Sequence, residues 1–275
     1  MRNRRLVGSC LLIATVLLVA VSVQAQFRQR GGRGGGLARA RIAIPSDFDG
    51  KFNFCRIVFR NAPDGDGGGW GVDYPRADEN LSIRLSELTK TTISVDAGGN
   101  PNHLLVRLTD PELFECPFVM LTEPGGAFLD DDEALGLRTY LLKGGFLWAD
   151  DFWGDYAFDH WVNQLRKALP APDYPVFDLP ADHPLFHTQF ETKVIQIPSI
   201  GFFFGGSTSE RGAESAVPHA RGIADAQGRL MVLMTHNTDY GDSWEREGDD
   251  PSYFYNFGPG GYALGVDAVL YALTH

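Results

Sequence analysis

No cysteine and no serine stands in the stretch Ala149-Asp150-Asp151-Phe152-Trp153, where the apolar run from Phe146 ends and the chain turns. Ligands in open α/β sheets gather at the C-terminal ends of the strands. A thiol or hydroxyl nucleophile is therefore missing from the place where one would be expected to act. Acid is missing too: the first 41 residues hold eight of the 24 basic side chains and no Asp or Glu. Residues 42–275 are left with 16 basic against 35 acidic groups, a formal charge of −19. Such a surface repels a phosphate backbone, which argues against nucleic acid as a partner. No repeat of fixed period is present.

Cysteine is scarce, with three in 275 residues. Cys10 falls inside an apolar N-terminal run and reads as a small apolar residue there. Cys55 and Cys116 each open an expected strand. In an oxidising compartment they could bridge if the two strands are neighbours; otherwise they are two buried, inert thiols.

The N-terminus has the features of an export signal. Arg2, Arg4 and Arg5 precede an apolar run from Leu6 to Val23, and Val23-Gln24-Ala25 carries the small residues a signal peptidase requires. Cleavage after Ala25 yields an exported, periplasmic or extracellular chain. The alternative is an uncleaved inner-membrane anchor over residues 6–23, because about 18 apolar residues can just span a bilayer. Gln26 to Arg41, with five arginines and five glycines, has almost nothing to bury and reads as a flexible linker. It is either a solvated spacer or a basic tether to anionic lipid. Residues 42–275 are enough for one domain.

Within that domain, Phe54 to Arg60 reads as a strand, followed by a helix with Leu81, Leu85 and Leu88 on one stripe and a short strand from Ile93 to Val95. Asp110-Pro111-Glu112 opens a short helical turn. Phe118 to Thr122 is a continuous apolar run, as expected of a central strand covered on both faces. Asp130 to Asp132 begin the next helix, which buries Ala134, Leu137 and Leu141 and ends at Gly144. Phe158, Trp161, Val162 and Leu165 mark a further helix. Val194 to Ile197 reads as a strand, Gly201 to Ala216 as a loop, and Ile223 to Met234 as a hairpin turning at Ala226-Gln227-Gly228. The last helix places Ala263, Val266, Leu270 and Leu273 on one face. Alternating strands and helices specify a mostly parallel sheet with helices on both sides.

Several motifs carry a resemblance. Phe54-Cys55-Arg56, Asp110-Pro111-Glu112-Leu113-Phe114, Gly144 to Asp151 (GGFLWADD), Asp182 to His187 (DHPLFH), Thr235 to Asp242 (THNTDYGD) and Leu270 to His275 (LYALTH) together resemble the domain-of-unknown-function 4159 family. The resemblance covers roughly Ile42 to His275. It implies a flavodoxin-like domain related to the class I glutamine amidotransferases, in bacterial proteins that are often exported or membrane-tethered, and it brings no settled activity. The related amidotransferases carry a Cys nucleophile in a sharp turn after a central strand. Here Ala149, Asp150 and Asp151 fill that stretch, so glutamine hydrolysis by that route is not expected.

The candidate ligand-binding residues are Asp150, Asp151, Trp153, His236, Asn237, Asp239, Asp242 and Trp244, expected to meet at the C-terminal edge of the sheet. Asp150, His236 and Asp242 form a weak set for Mg²⁺, Mn²⁺ or Ca²⁺, although Asn and Asp are also ordinary turn residues. No other cofactor is indicated. Trp70, Tyr74, Trp153 and Trp244 beside acids are either a carbohydrate surface or lids on the core. His183 and His187 straddle Pro184, which disfavours a shared helical face for zinc. Arg211 and Arg221 near His219 either grip an anion or offset neighbouring acids. Arg56, inside a strand, calls for a buried acid such as Glu123 or Asp150. The expectation for function is a non-catalytic ligand-binding or assembly module with an unknown ligand or envelope protein as partner. The alternative is a metal-assisted or carboxylate-based hydrolase acting on a sugar or glycan-like substrate.

Overall fold

Side chains on the apolar runs alternate between two cores, and that alternation organises the molecule. The computed structural model describes residues Ala40–His275, so the segment expected to be an export signal and nearly all of the expected Arg/Gly linker lie outside the described residues. From Arg41 onward the chain packs as a single unit. Its sheet has seven strands: β1 (Phe54–Ile57), β2 (His103–Val106), β3 (Phe118–Thr122), β4 (Phe146–Asp150), β5 (Phe177–Asp178), β6 (His219–Ala224) and β7 (Leu230–His236). Their order is β2-β1-β3-β4-β7-β6-β5. The first five are parallel and the last two add antiparallel. A parallel sheet in this order is the flavodoxin-like arrangement, with its topological switch between β1 and β3.

Every residue of β3, β4 and β7 is buried, as expected of central parallel strands covered on both faces. One core holds Cys55, Ile57, Val119, Leu121, Leu147, Ala149, Val232 and Met234 against α2 (Asp131–Leu142) and α3 (Gly154–Ala168). The other holds Phe54, Phe118, Met120, Phe146, Trp148 and Leu233 against α1 (Arg76–Leu88) and, further along the chain, α5 (Tyr240–Glu245) and α6 (Pro251–Thr274). A short helical turn, α4 (Ile200–Phe204), precedes these last two.

Local chemistry sets the helix ends. The Asp130 side chain accepts from the Glu133 N–H at 2.9 Å while the Glu133 carboxylate accepts from the Asp130 N–H at 2.9 Å. This reciprocal cap satisfies two donors that would otherwise be orphaned. At the other end Gly144 takes φ +112°, which a side chain would resist.

Cys55 and Cys116 form a disulfide, with Cα atoms 6.2 Å apart, which decides between the two readings of these residues. Other expectations need correction. Ile93 and Val95 make only isolated bridges, and one edge strand of the sheet is His103–Val106, four residues that follow the turn at Asp96 to Asn100. Val194 to Ile197 is not a strand: its backbone groups bond to the Tyr240 and Thr238 hydroxyls and to the Asp239 N–H, so no ladder forms. Leu88 and Leu273 are exposed, and α6 instead buries Leu264, Val266, Ala268 and Val269.

Candidate functional site

Three adjacent parallel strands end in the same unusual way. Glu123 follows β3 at φ +51°, Asp151 follows β4 at +61°, and Asn237 follows β7 at +60°. Each is a non-glycine residue in left-handed conformation, which costs about 1–2 kcal/mol, and each turns the chain abruptly at the C-terminal edge. A fourth, Asp73 at φ +62°, closes the loop between β1 and α1.

That loop is held from below by Arg56. The guanidinium is fully buried and donates from Nε to both Asp78 carboxylate oxygens at 3.1 Å, with Nη2 also on Asp78. Its Nη1 donates to the carbonyls of Trp70 (3.3 Å) and Val72 (3.1 Å) and to the Thr122 hydroxyl. The expected partners Glu123 and Asp150 are thus replaced by Asp78, in the first turn of α1. Although burial disfavours charge on Arg56, Asp78 outweighs it and holds the guanidinium protonated.

These loops enclose a cavity of about 280 Å³ lined by carboxylates from Asp66, Asp73, Glu123, Asp151, Glu210, Asp239 and Asp242, with Arg211 and Arg246 among them. Arg211 pairs with Asp66 at 2.6 Å and Arg246 with Asp242 at 2.9 Å. Burial, reinforced by neighbouring carboxylates, pushes Asp73, Asp151 and Asp239 well above the usual range. Burial likewise raises Glu123 to about 7, against the pull of the Gly69 and Gly68 N–H groups. Gly69 N–H donates to Glu123 Oε2 at 2.6 Å.

Asp151, Trp153, Asp239 and Asp242 from the sequence reading line this cavity. Asp150, His236, Asn237 and Trp244 do not. Asp150 is fully buried, accepting from Thr235 Oγ1 (2.5 Å) and from the N–H groups of Tyr240 (2.8 Å) and Gly241 (3.0 Å). Burial raises its carboxyl to about 7 despite these donors. It caps α5 and has no part in the cavity wall. His236 sits on the opposite face, one residue out of phase: the β4–β7 register continues to Asp150 opposite Thr235, and successive side chains alternate faces. Its Nε2–H donates to the Gly154 carbonyl at 3.0 Å while Nδ1 accepts from Arg221 at 3.1 Å, and burial lowers its pKa to about 4. His236 is therefore neutral and engaged, so the set Asp150, His236 and Asp242 does not assemble. Asn237 ties down the start of α3, accepting from the Gly154 N–H at 2.8 Å and donating to the Val217 carbonyl at 2.9 Å. Trp244 is wholly in the core against Trp148.

Of the four loop aromatics only Trp153 reaches the cavity; Trp70 and Tyr74 pack edge to face on each other. Leu185 and Phe186 are buried, while His183 accepts from the Leu185 N–H and His187 contacts Glu191. Arg211 and Arg221 are separated, Arg221 pairing with Asp178. Asp73, Asp66 and Glu210 escaped the sequence reading. The run Gly65-Asp66-Gly67-Gly68-Gly69 in the loop between β1 and α1, beside the switch point, was the signal that could have found the first two.

The strand order, the doubly covered sheet and a polar crevice at the switch point define a flavodoxin-like α/β domain. The chain belongs to the family described as domain of unknown function (DUF4159), whose model matches residues 56–273. No curated protein matches it. At the position where a Cys nucleophile would stand, this chain has Asp150 and Asp151.

Proposed function

We propose that this protein is an exported, non-catalytic binding module that holds a small polar ligand in the carboxylate-lined cavity. The cavity's composition carries the reading: seven carboxylates face two guanidinium groups, a field that rejects a bare anion and favours a ligand bringing hydroxyls, an amine or a cation. No Cys or His lines it, so a thiol nucleophile or an imidazole base is not at hand. Export is supported by the basic and apolar N-terminus and by the Cys55–Cys116 disulfide, a bond that persists outside reducing compartments. Among the described residues no helix is long and apolar enough to cross a membrane. A hydrolase is the second reading, favoured by Glu123, whose carboxyl at about 7 suits proton transfer.

Thermal shift at pH 7 with glucose, N-acetylglucosamine, lysine and spermidine tests the reading on the natural chain and on Glu123→Gln. At least one probe should stabilise the natural chain and do so less in the variant. No shift from any probe, or equal shifts in both proteins, would remove the cavity as a ligand site. Glu123-dependent release of nitrophenol from a nitrophenyl glycoside would transfer the assignment to the hydrolase.

A further inference from the structure

We propose that Asp73, Asp151 and Asp239 form a site for one hard divalent cation, Ca²⁺, Mn²⁺ or Mg²⁺, in the wall of this cavity; the inference rests on the cavity being a ligand site. One carboxylate oxygen from each lies within 4.8 Å of the other two. Three oxygens spread evenly around one calcium at 2.3–2.6 Å are at most about 4.5 Å apart, so small side-chain rotations suffice to bring the three onto one ion.

The hydrogen bonds leave one carboxylate oxygen of each residue free. Asp151 spends Oδ1 on the Trp153 indole N–H at 3.0 Å, and Asp239 spends Oδ1 on the Asp242 N–H at 2.7 Å. Each keeps Oδ2. Asp73 is the independent observation: only 6% of it is exposed, it lines the cavity, and its buried Oδ2 has no hydrogen-bond partner. A buried carboxylate oxygen with no donor is costly, and a cation among three such groups removes the cost. Asp242 is excluded from the set because both its oxygens are taken, by Arg246 and by the Ile200 N–H. An all-oxygen donor set with no His or Cys selects hard ions over zinc. The ion's remaining positions would be left to water or to oxygen atoms of the ligand.

Calorimetric titration of the metal-stripped full chain with Ca²⁺, Mn²⁺, Mg²⁺ and Zn²⁺ tests this. One of the hard ions should bind at a single site. Asp73→Asn and Asp151→Asn keep a residue that tolerates the left-handed conformation and should weaken that binding about tenfold or more. Gly241→Ala supplies a second route: its added Cβ would collide with Asp73 Oδ2, displacing the carboxylate without changing the charge, and affinity should fall likewise. Asp132→Asn, an exposed residue on α2, should bind as the natural chain does. Bound Tb³⁺ should luminesce on excitation of Trp153, which is hydrogen-bonded to Asp151, and lose the signal in Asp151→Asn. No heat with any ion, or equal binding in all variants, overturns the site. If the ions fail while organic probes still stabilise the chain through Glu123, the cation falls and the ligand cavity stands; if both fail, both fall.

Discussion

Replacing Arg56 by leucine removes a charge that no water can reach. The guanidinium is wholly buried with Asp78, and breaking a buried pair from one side typically costs about 3–5 kcal/mol because the remaining charge is left uncompensated. The Trp70 and Val72 carbonyls and the Thr122 hydroxyl lose their donors as well, so the upper end of that range is expected. For a domain of this size the loss corresponds to a fall in Tm of roughly 6–20 °C. Replacing both partners, as Arg56→Leu with Asp78→Leu, should recover part of the stability because no charge is then stranded. It should not restore the loop, whose two carbonyls stay unpaired. Urea unfolding of the natural chain and of the single and double variants measures each step. A single variant within 1 kcal/mol of the natural chain would refute the claim that this pair anchors the Asp73 loop.

Two other outcomes follow from the same structure. Glu123 is raised from 4.5 to about 7, so the folded chain keeps a proton that the unfolded chain has already lost. In metal-free buffer stability should therefore fall as pH rises from about 4.5 to 7, by about 3 kcal/mol from this group alone. Glu123→Gln should shrink that slope in a pH series of urea melts, and an unchanged slope would contradict the assignment. Replacing Cys55 and Cys116 together by alanine opens a loop with a sequence separation of 61 residues. Urea unfolding should then show a loss of about 4 kcal/mol; a loss below 1 kcal/mol would mean that the bond does not form in solution.

Much of the scaffold was legible because its signals are local. Phe118 to Thr122 and Phe146 to Asp150 are continuous apolar runs, the hairpin has its Gln227-Gly228 turn, and the Asp130 cap precedes its helix directly. The site was legible only in part because its assembly is set by parity and register. His236 and Thr235 are adjacent in sequence, yet alternation sends Thr235 to Asp150 and His236 to Phe152 and Phe158. Asp73 and Asp78 lie in the passage from the β1 loop to α1, and nothing in their spacing says which turns toward Arg56 and which toward the cavity. The segment Val194 to Ile197 has strand composition, but its hydrogen-bond partners are two hydroxyls and one N–H far along the chain.

The left-handed turns after β3 and β4 separate two kinds of selection. At Glu123 and Asp151 the backbone asks only for a residue that accepts positive φ, a demand met by Gly, Asn or Asp and refused by Val, Ile or Thr. The carboxylate is a second and independent demand. A lineage can therefore lose the charge at Asp151 through a single change to Asn or Gly while the turn, the strand and the helix behind it persist. Architecture and chemistry at this edge are separable, and a chain without the acids would still fold into the same shell around a different, or an idle, crevice.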